Sequence, residues 1–351
     1  MEKSEAPVIR ASTPKAKHVE AAGLACLFGL FALLPLAIHL GVDPFYLVIA
    51  TRIMIFGIAA LSLDLILGFG AMVSFGHAAF IGIGAYAAAI AAAHGVTDLL
   101  VQFLFAMAAA AAFGLVTGVI SLRTKGVYFI MITLAFGQMA YFLMVSLSAY
   151  GGDDGLTLKA RSTLFGQPWL ESDVFFYYLV LVLLLTCFLF ARAAVGARFG
   201  RVLRGVRDNA LRMQAIGFDP LPFQLTAYVL AGVLAALAGV LLANQAEFVS
   251  PAYMTWQRSG ELIMMVVVGG MGTLTGGILG AAAFLLLEEV LSAFSQHWKL
   301  GLGVILVLIV LYGKGGIHGI LVNMHGMIVN IRGMLVSLAG MLAALTGGGR
   351  R

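Results

Sequence analysis

The sequence predicts an all-α polytopic membrane protein with about ten transmembrane helices. Three observations support this fold class: the 351-residue chain has a mean hydropathy of +1.03, 62% of its residues are hydrophobic, and only 11% are charged. A typical soluble domain contains about 25% charged residues. About 20 apolar residues span the hydrocarbon core of a bilayer, and nearly every apolar stretch here is long enough to need lipid.

The N-terminal segment 1–20 is polar and basic, and we expect it to lie in the cytoplasm. The apolar run 21–40 is longer than the core of a signal peptide and leads to no small-residue cleavage site, so we predict a first transmembrane helix there. Six further charge-poor segments are predicted to span the membrane: 46–67, 71–93, 99–120, 126–148, 174–191 and 222–243.

The loops between these segments differ in charge. With the N-terminus in the cytoplasm, Arg123, Lys125 and the basic loop 192–212 fall inside, as the positive-inside rule requires. Four acidic residues then fall outside: Asp153, Asp154, Glu171 and Asp173. The net charge of +5 therefore reflects orientation in a bilayer rather than binding of nucleic acid.

The C-terminal third contains an apolar run interrupted by glycines at 269–277. We expect two helices here, the first starting near Ala252 and the second ending by about Leu287. Arg258 and Glu261 then lie inside the eighth span, where charge is costly unless it is paired or close to the interface.

A last span, 300–312, completes a transmembrane domain that we place at 21–313. Glycine-interrupted stretches occur in each half of this domain, at 68–84 and 269–280, as in the broken helices of internally duplicated transporters. The C-terminal tail, 314–351, is predicted to form an interfacial helix or a partly disordered end.

Two segments place polar residues at membrane depth. In the first, Ser74, Gly76 and His77 lie among several glycines, and broken backbone there must line a cavity or be covered by protein. In the second, Thr133 and Gln138 interrupt the apolar span 126–148. Two interpretations remain open for both sets. The side chains line a substrate pathway, or they hydrogen-bond neighbouring helices as structural contacts.

The basic loop at about 193–220 carries more than charge. Three arginines recur every third residue and predict a short helix with a basic face: Arg201, Arg204 and Arg207. Asp208 and Asn209 can cap a second short helix, and Gly217 can end it. A loop that only orients the protein needs charges alone, so these signals favour a structured surface that docks a partner.

Several chemistries find no support. The sequence has no phosphate-binding loop, no His-Glu-x-x-His motif and no convergent nucleophile, acid and base, so we do not predict an enzyme. Cys26 and Cys187 lie in separate apolar runs, and the two carboxylates of 151–155 lack EF-hand spacing, so no metal site is predicted. Asp64 is the best candidate for a proton or ion relay, but Arg52 lies about 18 Å from it along a helix.

Five stretches, in this order, resemble the branched-chain amino acid permease family of ABC importers, specifically its LivM-type subunit. They are AMVSFGHAAFIGIGAY at 71–86, KGVYFIMITLAFGQ at 125–138, GGDDGL at 151–156, GRVLRGVRDN at 200–209 and VGGMGTLTG at 268–276. The second and third are typical of this subunit rather than of its sister permease. Relatives often have Gly or Leu at Ala71, and the tail beyond about 315 is unlike the family.

The resemblance implies a permease with a cytoplasmic coupling-helix loop in a bacterial inner membrane. Its implied partners are a second, LivH-like permease, two cytoplasmic ATPases that bind ATP and Mg²⁺, and a periplasmic substrate-binding protein; this chain itself binds no cofactor. The implied substrates are leucine, isoleucine and valine or related amino acids. An ABC permease for urea or short amides, and an ion-coupled secondary transporter of a small polar solute, remain alternatives.

Overall fold

The computed structural model describes residues 27–36, 41, 43–294, 297–312 and 315–319. The main α-helices within these ranges are α1 Leu27–Leu36, α2 Phe45–Gly70, α3 His77–Ala93, α4 Leu99–Ser121, α5 Val127–Ser146, α6 Asp173–Gly196, α7 Arg198–Ala215, α8 Pro220–Ala246, α9 Trp256–Gly269, α10 Thr275–Phe294 and α11 Trp298–Tyr312, and residues 316–319 are also helical. Two short strands, β1 Leu156–Thr157 and β2 Phe248–Val249, pair antiparallel.

Six helices are long and apolar enough to cross a membrane, namely α2, α4, α5, α6, α8 and α10, and α1, α3 and α11 are shorter apolar helices. The structure thus confirms the helical, multi-pass architecture, while the number of ten crossings stays a prediction. The segment 1–20, Cys26 and the tail beyond residue 319 lie outside the described residues.

The helix boundaries differ from the predicted ones at the breaks. Residues 71–76 are not helical, so α3 begins at His77, and α2 continues to Gly70. The glycine run near residue 270 does separate two helices, as predicted, but α9 begins only at Trp256, after a 3₁₀ turn at Pro251–Met254. The turn between α9 and α10 depends on glycine, because Gly270 and Gly272 have positive φ angles of 116° and 75°.

The centre of the bundle is formed by α2 and α8. The apolar window of α2 is completely buried, and α2 packs against α6, α8 and α10, while α3 and α4 pack against α8. Glycines allow a close approach between α3 and α8, because a Cβ on Gly84 would meet the Ala236 carbonyl and one on Gly239 would meet the Ile81 carbonyl. These two helices therefore contact each other through their backbones.

The two halves of the chain share an order of elements. The long helix α2 ends at Ala71, with φ 51° and ψ 31°, and the long helix α8 ends at Glu247, with φ 51° and ψ 24°. A non-helical stretch and a short helix follow in each case. The break at 71–76 ends at Gly76, whereas the stretch 247–255 contains no glycine.

The bundle has two distinct ends. At one end, which we call the α7 end, the C-termini of α2 and α6 meet α7 and the α9–α10 turn. At the opposite end lies the loop 147–172, where Arg161 pairs with Asp173 at 2.7 Å and with Glu247 at 3.3 Å. Asp98 caps α4 there and also accepts a hydrogen bond from the backbone nitrogen of Phe165.

Candidate functional site

The break before α3 is sealed by protein. Ser74 and His77 are fully buried, and Nε2 of His77 lies 2.9 Å from the hydroxyl of Ser62 on α2. The Ser74 hydroxyl has no hydrogen bond of good geometry among the described residues, although it lies close enough to the Tyr228 hydroxyl to interact with it. Polar groups of the break are thus enclosed between α2 and α8.

Thr133 on α5 holds the same break from the other side. Its hydroxyl accepts a hydrogen bond of 3.3 Å from the backbone nitrogen of Phe75. A Cβ on Gly76 would meet the carbonyl oxygen of Thr133, and Gly137 lies directly against Gly76. The structure therefore brings four of the predicted residues together, Ser74, Gly76, His77 and Thr133, with contacts typical of interhelical packing.

Gln138 lies apart from this group. It is half-buried near the middle of α5 and makes no hydrogen bond within the described part of the chain. Four residues of α5 are buried: Phe129, Thr133, Gly137 and Ala140. Because an unpaired amide in contact with lipid is expensive, the Gln138 side chain requires a polar partner.

The N-terminal half of α9 also exposes polar side chains. Arg258 pairs with Glu261 at 2.6 Å, and their side chains are 31% and 33% exposed. Gln257, next to this pair, is exposed. Arg258 lies over the ring of Phe56, which is close to the midpoint of α2. This ion pair neutralises the two charges that the sequence predicts inside the eighth span. Its position near the midpoint of α2 places it at membrane depth.

Asp64 connects α2 to the α9–α10 turn. Its buried carboxylate accepts hydrogen bonds from the backbone nitrogens of Gly272 at 2.7 Å and Leu274 at 3.0 Å. Gly68, one helical turn further along α2, packs directly against Gly272. Sequence reasoning considered Asp64 only as a relay and missed this contact. The sequence does contain a signal for this contact. Asp64 and Gly68 lie one turn apart on the same face of α2, and the glycine run near residue 270 provides a backbone that can approach them.

The α7 segment has the predicted two-helix structure. Asn209 is non-helical, with φ −162° and ψ 101°, and its Oδ1 accepts a hydrogen bond from the backbone nitrogen of Arg212 at 2.9 Å. Gly217, with φ +90°, ends the second helix. The cap and the stop signal are therefore confirmed, although Asp208 accepts hydrogen bonds from Arg207 instead of capping the helix.

The three predicted arginines bind carbonyl groups of their own chain. Arg207 donates to the carbonyl of Gly68 at 2.7 Å, whereas Arg201 and Arg204 donate to Gly196 and Val195 at the end of α6. The surface beside them includes the exposed apolar side chains of Leu211, Ile216 and Phe218. A groove of ≈ 480 Å³, lined by Arg198, Arg201, Val202, Met213 and Phe218, runs along it. Arg207 thus joins α7 to the end of α2.

These features define a class of protein. A multi-pass helical bundle has interrupted helices at its centre, polar groups exposed at membrane depth, and a structured basic segment at one end. This combination is typical of membrane transport proteins rather than of enzymes.

The comparisons with known proteins identify the family. The family model for the permease component of branched-chain amino acid transport systems matches residues 45–312, and the chain belongs to this family. The chain is 29% identical over 292 residues to the high-affinity branched-chain amino acid transport system permease protein LivM of Salmonella typhimurium, covering 77% of this chain and 69% of that protein, and equally to LivM of Escherichia coli.

A probable LivM of Methanocaldococcus jannaschii is 26% identical over 153 residues, which cover 40% of this chain and 44% of that protein. No solved structure matches the chain. These three relatives are LivM permeases, and membership of the permease family makes the chain a transport subunit rather than a catalytic one.

Proposed function

We propose that this chain is the permease subunit of an ATP-driven importer for branched-chain amino acids or closely related amino acids. It forms the translocation pathway together with a second, LivH-like permease in a bacterial inner membrane. A periplasmic binding protein delivers the substrate, and two cytoplasmic ATPases bind ATP and Mg²⁺. The N-terminus and the α7 end face the cytoplasm, in agreement with the basic residues of α7.

The hydrogen bond from Arg207 to Gly68 is the observation that carries the proposal, because it links α7 directly to the buried helix at the centre of the bundle. The exposed side chains of Leu211 and Ile216 offer an apolar contact surface beside it. An ATPase that binds this surface and closes on ATP therefore moves α7, and α7 moves the end of α2. The loop at 193–220 acts as the coupling element.

The pathway runs along α5 and α9 in this proposal. These neighbouring helices expose Gln138, Gln257 and the Arg258–Glu261 pair, whereas positions that face lipid need apolar side chains. Ser74, His77 and Thr133 lie behind this surface and hold the break at 71–76 in place. Their contribution to the pathway is to hold the helices that line it in position.

The structure gives less support to ion coupling. Asp64, the best relay candidate, has both carboxylate oxygens occupied by hydrogen bonds from backbone nitrogens. A relay residue must exchange a proton or an ion during transport, and such an exchange would break the contact between α2 and the α9–α10 turn.

The proposal is tested by uptake of labelled leucine into proteoliposomes. This system allows the binding protein to act from the side that corresponds to the periplasm. The complete complex is reconstituted with loaded binding protein outside and ATP inside. We expect uptake that requires ATP and persists with a protonophore. Uptake that the protonophore abolishes while ATP remains intact would reject the proposal, and copurification of the two ATPases with the permeases checks the composition of the complex.

A further inference from the structure

Arg52 on α2 is a partly buried cation without an ionic partner. Within the described residues its guanidinium forms no hydrogen bond or ion pair. It makes a cation–π contact with Phe56, with its Cζ 5.9 Å from the ring centroid. It lies about 10 Å along α2 from the first residue of that helix. An unpaired cation at this depth is costly and points to an anion that binds there.

Arg258 approaches the same ring from α9. Its guanidinium also lies 5.9 Å from the centroid of Phe56, and Arg258 lines a small cavity together with Tyr253. Glu261 pairs with Arg258, so the three charged residues carry a net charge of +1. The cluster therefore offers two cationic groups and one carboxylate around one aromatic ring.

The ends of the cluster suit different parts of one ligand. A carboxylate is held best by guanidinium groups. The backbone N–H groups at the start of α9, five residues before Glu261 and without a side-chain cap in the described structure, add favourable partial charge. An ammonium group is held by the carboxylate of Glu261. The apolar residues beside the cluster are Phe56, Ile81, Leu242 and Leu262.

We propose that Arg52, Arg258 and Glu261 form a binding site for the α-carboxylate and α-ammonium groups of a zwitterionic amino acid during its passage. The site rests on the proposed function and names the part of the pathway that contacts the substrate. In the present structure the Arg258–Glu261 pair is closed, and the adjacent cavity of ≈ 10 Å³ has room for about one water molecule. A zwitterion replaces the pair by two ion pairs, in which the two guanidinium groups share its carboxylate and Glu261 binds its ammonium group, so opening the site leaves the net charge of +1 unchanged.

This chemistry separates amino acids from other small solutes. Urea and short amides carry no charge, so separating Arg258 from Glu261 to admit them leaves both the guanidinium groups and Glu261 without ionic partners. The cavity wall contains no polar side chain apart from Tyr253 and Arg258, which suits an aliphatic substituent on the amino acid.

The test measures equilibrium binding to the complete complex in nanodiscs without binding protein. Three labelled probes are used: leucine, leucinamide, which lacks the carboxylate, and 4-methylpentanoate, which lacks the ammonium group. We expect leucine to bind most tightly. Arg52→Gln should weaken leucine binding about tenfold or more and leave leucinamide binding unchanged, whereas Glu261→Gln should weaken leucine and spare 4-methylpentanoate. Arg192→Gln and Glu289→Gln, both exposed charges outside the cluster, serve as matched controls.

An equal loss of binding affinity for all three probes would contradict the proposed site. Unchanged leucine affinity in either variant would also contradict it. Variants that no longer assemble with the second permease would also overturn it, because they would show that the charges bind that partner. In each of these cases ATP-driven uptake by the unaltered complex still supports the proposed function. Loss of ATP dependence in the unaltered complex is the separate result that removes the function itself.

Discussion

The carboxylate of Asp64 accepts a hydrogen bond of 2.7 Å from the backbone nitrogen of Gly272, a residue 208 positions later in the sequence. The contact holds the α9–α10 turn against the end of α2 to which Arg207 also binds. At the other end of α9, the hydroxyl of Ser259 accepts a hydrogen bond of 3.0 Å from the backbone nitrogen of Ala78. The short helix α9 therefore connects the α7 end of the bundle with the break before α3.

Replacing Asp64 tests this connection. Asp64→Ala leaves the nitrogens of Gly272 and Leu274 without their acceptor, so we expect a loss of about 1–3 kcal/mol in stability and less substrate transported per ATP hydrolysed. Asp64→Asn keeps one acceptor oxygen and should have a smaller effect. Thermal unfolding and the ratio of uptake to ATP hydrolysis are measured, with the exposed Asp154→Asn as the control. An unchanged ratio for Asp64→Ala would contradict the assigned connection.

Ser259 provides a second test at the opposite end of α9. Ser259→Ala removes the buried acceptor for the nitrogen of Ala78 and should reduce uptake several-fold, at a cost of about 1–3 kcal/mol, without preventing assembly. Ser259→Thr retains the hydroxyl and should recover part of the activity. The exposed hydroxyl of Ser292 on α10 offers the matched control, Ser292→Ala. Equal behaviour of Ser259→Ala and the control would show that the contact is dispensable.

Gln138 and Thr133 lie on the same helix but should differ in their effects. Gln138→Leu removes no internal hydrogen bond, so we expect lower uptake with unchanged assembly. Thr133→Val removes the acceptor for the nitrogen of Phe75 and should lower the stability of the complex by about 1 kcal/mol or more. Ser74→Ala is expected to lower uptake with assembly intact. Size-exclusion chromatography and uptake separate these outcomes, and failed assembly of Gln138→Leu would assign that residue to helix packing.

The arginines of α7 distinguish orientation from coupling. Replacing Arg201, Arg204 and Arg207 together by lysine keeps the positive charge that orients the protein, but it removes the planar guanidinium groups. Because Arg207 bonds to Gly68 and Arg204 to the end of α6, we expect normal insertion and loss of most ATPase stimulation by loaded binding protein. Stimulation at the unaltered level would mean that the loop is only an orientation signal. Arg192→Lys on α6, an exposed arginine outside the groove, is the control.

Local signals in the sequence predicted local structure well. The cap at Asn209, the stop at Gly217 and the separation of α9 from α10 all depend on neighbouring residues, and all three are present in the structure. The break at 71–76 was also indicated by its glycines, although its boundaries were displaced because an apolar segment can extend a helix beyond the expected bilayer thickness.

Contacts between distant segments were not predictable in this way. The partners of Asp64, Ser259 and Arg207 depend on how the helices pack, and no periodicity in the sequence encodes that arrangement. The left-handed turn at Glu247 also carries no sequence signal, because 247–255 contains no glycine. For the candidate site, the sequence indicated that Arg258 and Glu261 would be energetically costly within the membrane unless they were paired. Only the structure showed that Arg52 contacts the same Phe56 ring as Arg258.

The burial of α2 has a consequence for how the protein is made. Asp64 enters the membrane long before Gly272 leaves the ribosome, because 208 residues separate them and synthesis at about 5–20 residues per second takes roughly 10–40 seconds. For most of that interval α2 lacks α8, and throughout it α2 lacks α10; these two helices later cover it. The nascent chain must therefore keep a carboxyl group shielded by the insertion machinery or by α6. Truncated products that end before the α9–α10 turn retain this exposed group, and quality-control proteases that detect polar residues within the bilayer should remove them first.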